Sequence, residues 1–121
     1  MKNNSLREKL DNNKIILVPG IYDSFGALMA EKAGFEALYV SGASISYTKL
    51  GSPDLGFVSM SEVAAIVGNI SERTSLPLIV DADTGFGNAL NVQRTIKVFE
   101  KAGASAIQIE DQLLPKRCGH L

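Results

Sequence analysis

Acidic residues stand where two of the apolar runs in this sequence end. The run 78–80 is Leu-Ile-Val, and Asp81 and Asp83 follow it at once; the run 106–109 leads directly into Glu110 and Asp111. A bare charge at the end of a buried strand is expensive, so these acids need partners. Strand side chains alternate, and the spacing predicts Asp81 and Asp83 on one face. Asp81, Asp83 and Glu110 converging on one mouth would be hard to keep ionised together. A hard cation held through oxygen relieves that repulsion, and Mg²⁺ takes one or two carboxylates with waters making up the rest. The plainer alternative is that the two aspartates only cap turns, since D-x-D is common and its placement carries the argument.

Other stretches gather around the same strand ends. Ser41, Gly42, Ala43 and Ser44 follow the run 37–40 with small side chains and backbone N–H groups that could hold a carboxylate or phosphate, or form a plain turn. The connection after them, through 51–56, is long, as functional loops often are, and Asp54 within it could reach the mouth. In 84–88, Thr-Gly-Phe-Gly-Asn, Leu90 stands where G-x-G-x-x-G needs its third glycine. A dinucleotide loop is therefore disfavoured, and the glycines are expected to let the chain turn beside a ligand. Lys116, Arg117, Cys118, Gly119 and His120 form the densest polar cluster. A positive field there would favour the Cys118 thiolate; an inert buried cysteine is the alternative.

These residues must be positioned by the elements between them. Four short runs, 15–18, 37–40, 78–80 and 106–109, have the partly β-branched, Gly/Pro/Asp-flanked look of buried parallel strands. Between them the spacing predicts helices: Phe25, Leu28, Met29 and Lys32 on one face, then Val63, Ile66, Val67 and Ile70, then Val92, Ile96 and Phe99. A short leading helix is expected around 5–10. Gly34 and Gly103 suit left-handed helix ends, and Ser61 and Asn91 are candidate N-caps. The order β-α-β-α-β-α-β means a parallel sheet covered by helices, as in open doubly wound sheets and in (β/α)₈ barrels.

Composition narrows the partners. The 121 residues are 45% hydrophobic and 21% charged, with 12 Lys plus Arg against 13 Asp plus Glu. No basic stripe suggests nucleic acid, and no apolar run approaches the roughly 20 residues of a membrane-spanning helix. The polar opening 1–10 and the single Cys118 lead to the expectation of a cytoplasmic protein without an internal disulfide. A full (β/α)₈ barrel takes roughly 250 residues, so residues 1–121 are expected to be the N-terminal half of one catalytic barrel, truncated after its fourth strand.

Taken together the motifs resemble the isocitrate lyase / phosphoenolpyruvate mutase superfamily, from 18–23 onward. The stretch 81–87 resembles its metal loop, 109–112 its next strand end, and 116–120 the catalytic loop of its lyase branch. The resemblance implies a (β/α)₈ TIM-barrel fold and Mg²⁺ or Mn²⁺, with Asp81 as the nearer ligand, Asp83 acting through water, and Glu110 holding metal-bound water or substrate. It implies that Tyr39, Ser41, Gly42, Ala43, Asp54 and Gly119 contact a small carboxylate substrate, and that Cys118 is an acid/base on a mobile loop supported by Lys116 and His120. A homo-oligomer, a tetramer in the family, is also implied. Methylisocitrate lyases typically carry consecutive glycines after the serine that matches Ser41, whereas Ala43 and Ser44 follow Gly42 here, which leaves the substrate open. The leading expectation is cleavage of a 2-hydroxy polycarboxylate such as 2-methylisocitrate to an oxo acid and a dicarboxylate. The alternatives are phosphonate mutase or oxaloacetate decarboxylase chemistry, or an inactive fragment; the cysteine ranks the lyase first.

Overall fold

The computed structural model describes residues 2–12 and 15–119. The chain runs α1 (Lys2–Asp11), β1 (Gly20–Ile21), α2 (Ser24–Lys32), β2 (Leu38–Val40), α3 (Gly42–Ile45), a π-helical turn (Ser46–Leu50), α4 (Met60–Arg73), β3 (Leu78–Asp81), α5 (Ala89–Ala102) and β4 (Ala106–Gln108). The four strands form one parallel sheet in the order β1-β2-β3-β4. Consecutive parallel neighbours linked by helices are the repeating unit of a (β/α)₈ barrel, and the chain holds four such strands.

The core lies between one face of the sheet and the helices. Leu38, Val40, Leu78 and Val80 are fully buried and join Val63, Val67 and Ile70 of α4 and Phe99 of α5 in one cluster. Tyr39, Ile79 and Asp81 alternate with these residues and so point to the other face. Register places Tyr39 beside Ile79, and Asp81 beside Gln108. One face of the sheet is thus spent on stability, and the other carries the polar side chains.

Several expectations change on contact with the structure. The run 15–18 is not a strand: Ile15 is 94% exposed and Leu17 72%. Pairing with β2 starts only at Gly20 opposite Tyr39, and β2 itself begins at Leu38. Pro19 joins the sheet through its carbonyl alone, accepting from the Tyr39 N–H at 2.9 Å. The α2 face expected to be apolar is turned outward, with Phe25 and Met29 exposed; Ala27 and Ala30 are buried instead. Small residues let this short helix lie close against the core. In α5 Phe99 is buried as expected, whereas Ile96 is 40% exposed and Thr95 takes the inner position.

The helix starts differ as well. Ser59, not Ser61, caps α4, with its hydroxyl accepting from the Glu62 N–H while Glu62 reaches back to the Ser59 N–H at 2.9 Å. Asn88, not Asn91, caps α5, and Asn91 is the reciprocal partner three residues on. Each pair is a capping box that satisfies two otherwise orphaned donors. Ser59→Ala is expected to lower stability by about 1 kcal/mol, and Ser61→Ala by less than about 0.5 kcal/mol. Urea unfolding of the full-length protein checks this; equal losses would return the cap to Ser61.

Candidate active site

Asp81 ends β3 and is buried. One carboxylate oxygen accepts the Gly42 N–H at 3.1 Å and the other accepts the Asp83 N–H at 3.1 Å. The first bond fastens the end of β2 to the end of β3. Glycine at position 42 suits this close approach, because a Cβ there would lie 3.0 Å from the Asp81 oxygen and press on it. The second bond bends the chain, and Asp83 takes a left-handed φ of 48°, which aspartate tolerates better than most residues. The alternation expected to align Asp81 and Asp83 therefore stops at Asp81. Asp83 reaches the site from a turn, and its carbonyl accepts the Glu110 N–H at 2.7 Å, drawing in the end of β4.

Lys116 is the only buried residue in 111–119. Its ammonium pairs with Asp54 at 2.9 Å and with Asp83. Burial disfavours the ammonium, but the two carboxylates outweigh it and hold the Lys116 pKa above the ordinary lysine range. The Asp83 carboxyl is pushed up by burial, against the pull of Lys116, with Asp81 and Asp54 adding repulsion. On the same face the Tyr39 phenol is pushed up to about 12 by burial, then by the neighbouring Asp81 and Glu110 carboxylates, with Lys116 opposing.

The structure thus brings together Tyr39, Gly42, Asp54, Asp81, Asp83, Glu110 and Lys116. The segment 41–44 does not present a row of free donors: the Ser41 N–H goes to Ile21 at 3.0 Å, Gly42 to Asp81, and Ser44 to the Ser41 hydroxyl at 3.2 Å. Ser41 is the cap of α3, and Ala43 is the second residue of that helix. The long connection to Asp54 is half helical, and the Ser46 hydroxyl pins its far end by donating to the Ser52 and Pro53 carbonyls at 3.0 Å each. Gly85 serves the fold more than a ligand, since a Cβ there would strike Val92 of α5, and Thr95 donates to its carbonyl at 2.9 Å. Cys118 is a free, half-buried thiol, Gly119 is exposed, and His120 lies outside the described residues. Sequence reasoning missed Gln112. Its amide donates to Glu110 and its oxygen accepts the Arg117 N–H at 2.8 Å; only its place two residues after Glu110 hinted at this. A cavity of about 490 Å³ opens beside Asp83 and Lys116, walled by Phe57, Met60, Phe86 and Leu114.

Among the described residues, no three His, Cys, Asp or Glu side chains gather into a ready cage for an ion. Of the expected trio of Asp81, Asp83 and Glu110, Asp83 pairs with Lys116 and Glu110 accepts from Gln112. The repulsion that called for a cation is met in part by the chain's own ammonium. The donor set still fits Mg²⁺, which needs only one or two carboxylates and water. Asp81 supplies hard oxygens fixed by two backbone donors, each with a lone pair to spare.

The family model for phosphoenolpyruvate phosphomutase matches residues 6–120. Over 116 residues the chain is 53% identical to a 2-methylisocitrate lyase of Aeropyrum pernix, covering 96% of this chain and 37% of that protein. It is 46% identical to a 2,3-dimethylmalate lyase of Eubacterium barkeri, covering 96% and 40%. A crystal structure of phosphonopyruvate hydrolase in complex with oxalate and Mg²⁺ superposes with a TM-score of 0.92 at 39% identity, covering 97% of this chain and 41% of that one. The chain thus spans less than half the length of each of these relatives.

The Tyr39 phenol is expected to ionise near pH 12 in metal-free protein. Because its folded pKa is raised, the stability it contributes is complete below the ordinary tyrosine pKa of about 10 and is lost as pH climbs toward the folded value. Tyrosinate absorbance read against pH should lose the step near pH 12 in Tyr39→Phe. An unchanged titration would contradict the assignment.

Proposed function

The chain belongs to the phosphoenolpyruvate phosphomutase / isocitrate lyase superfamily, and from that premise we propose that the full-length protein is a Mg²⁺-dependent carbon–carbon lyase. Its substrate is a 2-hydroxy polycarboxylate of the 2-methylisocitrate type, cleaved to an oxo acid such as pyruvate and a dicarboxylate. The observation that carries this reading is the ordered set of groups at the strand ends, Tyr39, Asp81 and Glu110, with Cys118 on the adjoining loop. Residues 1–121 form the N-terminal part of one barrel domain, and the assembly is a homo-oligomer.

Asp81 would hold the metal, with Asp83 and Glu110 acting on its waters. When bound, Mg²⁺ supplies concentrated positive charge for the oxygens of the oxo acid. The chain's own residues do the rest. The Tyr39 phenol stays neutral at working pH and can donate a hydrogen bond to a substrate oxygen. As the substrate hydroxyl gives up its proton to a base and its carbon becomes the oxo carbon, cleavage of the bond to the neighbouring carbon leaves an electron pair on the dicarboxylate fragment, delocalised into its carboxylate. The Cys118 thiol delivers the proton that closes that fragment. A thiol with a reference pKa of about 8.5 suits proton transfer near neutrality better than most lysines do. The cysteine is also what favours the lyase over mutase chemistry.

Chelation is expected to abolish activity, with Mg²⁺ or Mn²⁺ restoring it. Asp81→Ala should weaken metal binding more than Asp83→Ala, read by isothermal titration; unchanged binding in both would remove the metal assignment. Cys118→Ser should lower turnover by a factor on the order of 10² or more while metal and pyruvate still bind. Near-normal cleavage by that variant would take Cys118 out of the mechanism.

A further inference from the structure

We propose that Lys116 is a positioning residue whose ammonium, gripped by Asp54 and Asp83, straps the Cys118 loop across the strand ends. The importance of Cys118 rests on the lyase reading above; the strap itself does not.

The loop has little else to hold it. Leu113 is 90% exposed and Leu114 64%, and Asp111, Pro115, Arg117 and Gly119 are exposed as well. Among the described residues, apolar burial therefore does little to fix this segment. Lys116, at 5% exposure, is the one side chain driven inward. It meets carboxylates from two different segments, Asp54 in the loop before α4 and Asp83 in the turn after β3. Gln112 supplies a lighter second fastening by joining Glu110 to the Arg117 backbone.

The pairing is mutual. Asp54 and Asp83 are close enough to repel each other, and without the ammonium both would be left largely desolvated without a counter-charge, which is costly. Lys116 thus both joins the two loops and fastens its own. With Lys116 fixed, two residues of chain limit the Cα of Cys118 to within about 7 Å of the Lys116 Cα. The range open to the thiol is thereby restricted. Lys116 serves Cys118 through geometry, because its charge is already taken by Asp54 and Asp83.

The test compares Lys116→Met, Asp54→Asn and Asp83→Asn with the wild type in the full-length protein. Alkylation of Cys118 by iodoacetamide is followed by peptide mass spectrometry, and tryptic cleavage after Arg117 is followed in parallel. Both rates should rise about tenfold or more in all three variants, and the rise should be insensitive to low urea, as local opening is. The tryptic rate guards against a mere change in thiol ionisation, and neither readout needs turnover. Wild-type rates in folded Asp54→Asn and Asp83→Asn would overturn the strap. So would rates that climb steeply with urea in step with global unfolding, which would make the cluster only a stabilising one.

Discussion

A buried ammonium between two carboxylates ties together three parts of the chain that lie far apart in sequence. Asp54 comes from the loop before α4, Asp83 from the turn after β3, and Lys116 from the segment beyond β4. Removing one member of such a group typically costs about 3–5 kcal/mol, because the remaining charge is left buried without its partner. In some proteins such groups are kept for the arrangement they impose and not for net stability. Here the arrangement ties down the loop that carries Cys118, two residues beyond Lys116.

That end is built by the sheet itself. Parallel strands in register align their carboxyl ends, and alternation sends Leu38, Val40, Leu78 and Val80 to the helices while Tyr39 and Asp81 face the other way. Two hydrogen bonds to Asp81 then convert strand ends into a site, one joining β2 to β3 through Gly42 and one turning the chain at Asp83. Glu110 follows because its N–H meets the Asp83 carbonyl. The acids that open the functional argument are therefore also the staples of the local fold.

Much of this was legible in the residues. The strands at 38–40, 78–81 and 106–108 and the inward face of α4 follow from short apolar runs and regular spacing, which register burial directly. That acids follow two of the strands was equally plain, but Asp83 reaches the site from a turn and not by strand alternation. What escaped depends on partners distant in sequence. The run 15–18 is as apolar as a strand but pairs with none of the described strands, and α2 buries alanines while showing Phe25 and Met29 outward. The caps were misplaced by two or three residues, since Ser59 and Ser61, or Asn88 and Asn91, differ only in geometry. The role of Lys116 was the least visible, because no local pattern reveals which carboxylates an ammonium will meet across 33 and more residues of chain.

We propose that Asp81 is the metal's carboxylate while Asp83 and Asp54 stay held by Lys116. Anomalous diffraction from crystals of the full-length protein grown with Mn²⁺ tests it most directly. The account predicts a single strong peak beside an Asp81 oxygen, with the Lys116 ammonium still seated between Asp54 and Asp83. A peak lying between Asp54 and Asp83 with Lys116 displaced, or no peak at Asp81, would contradict it.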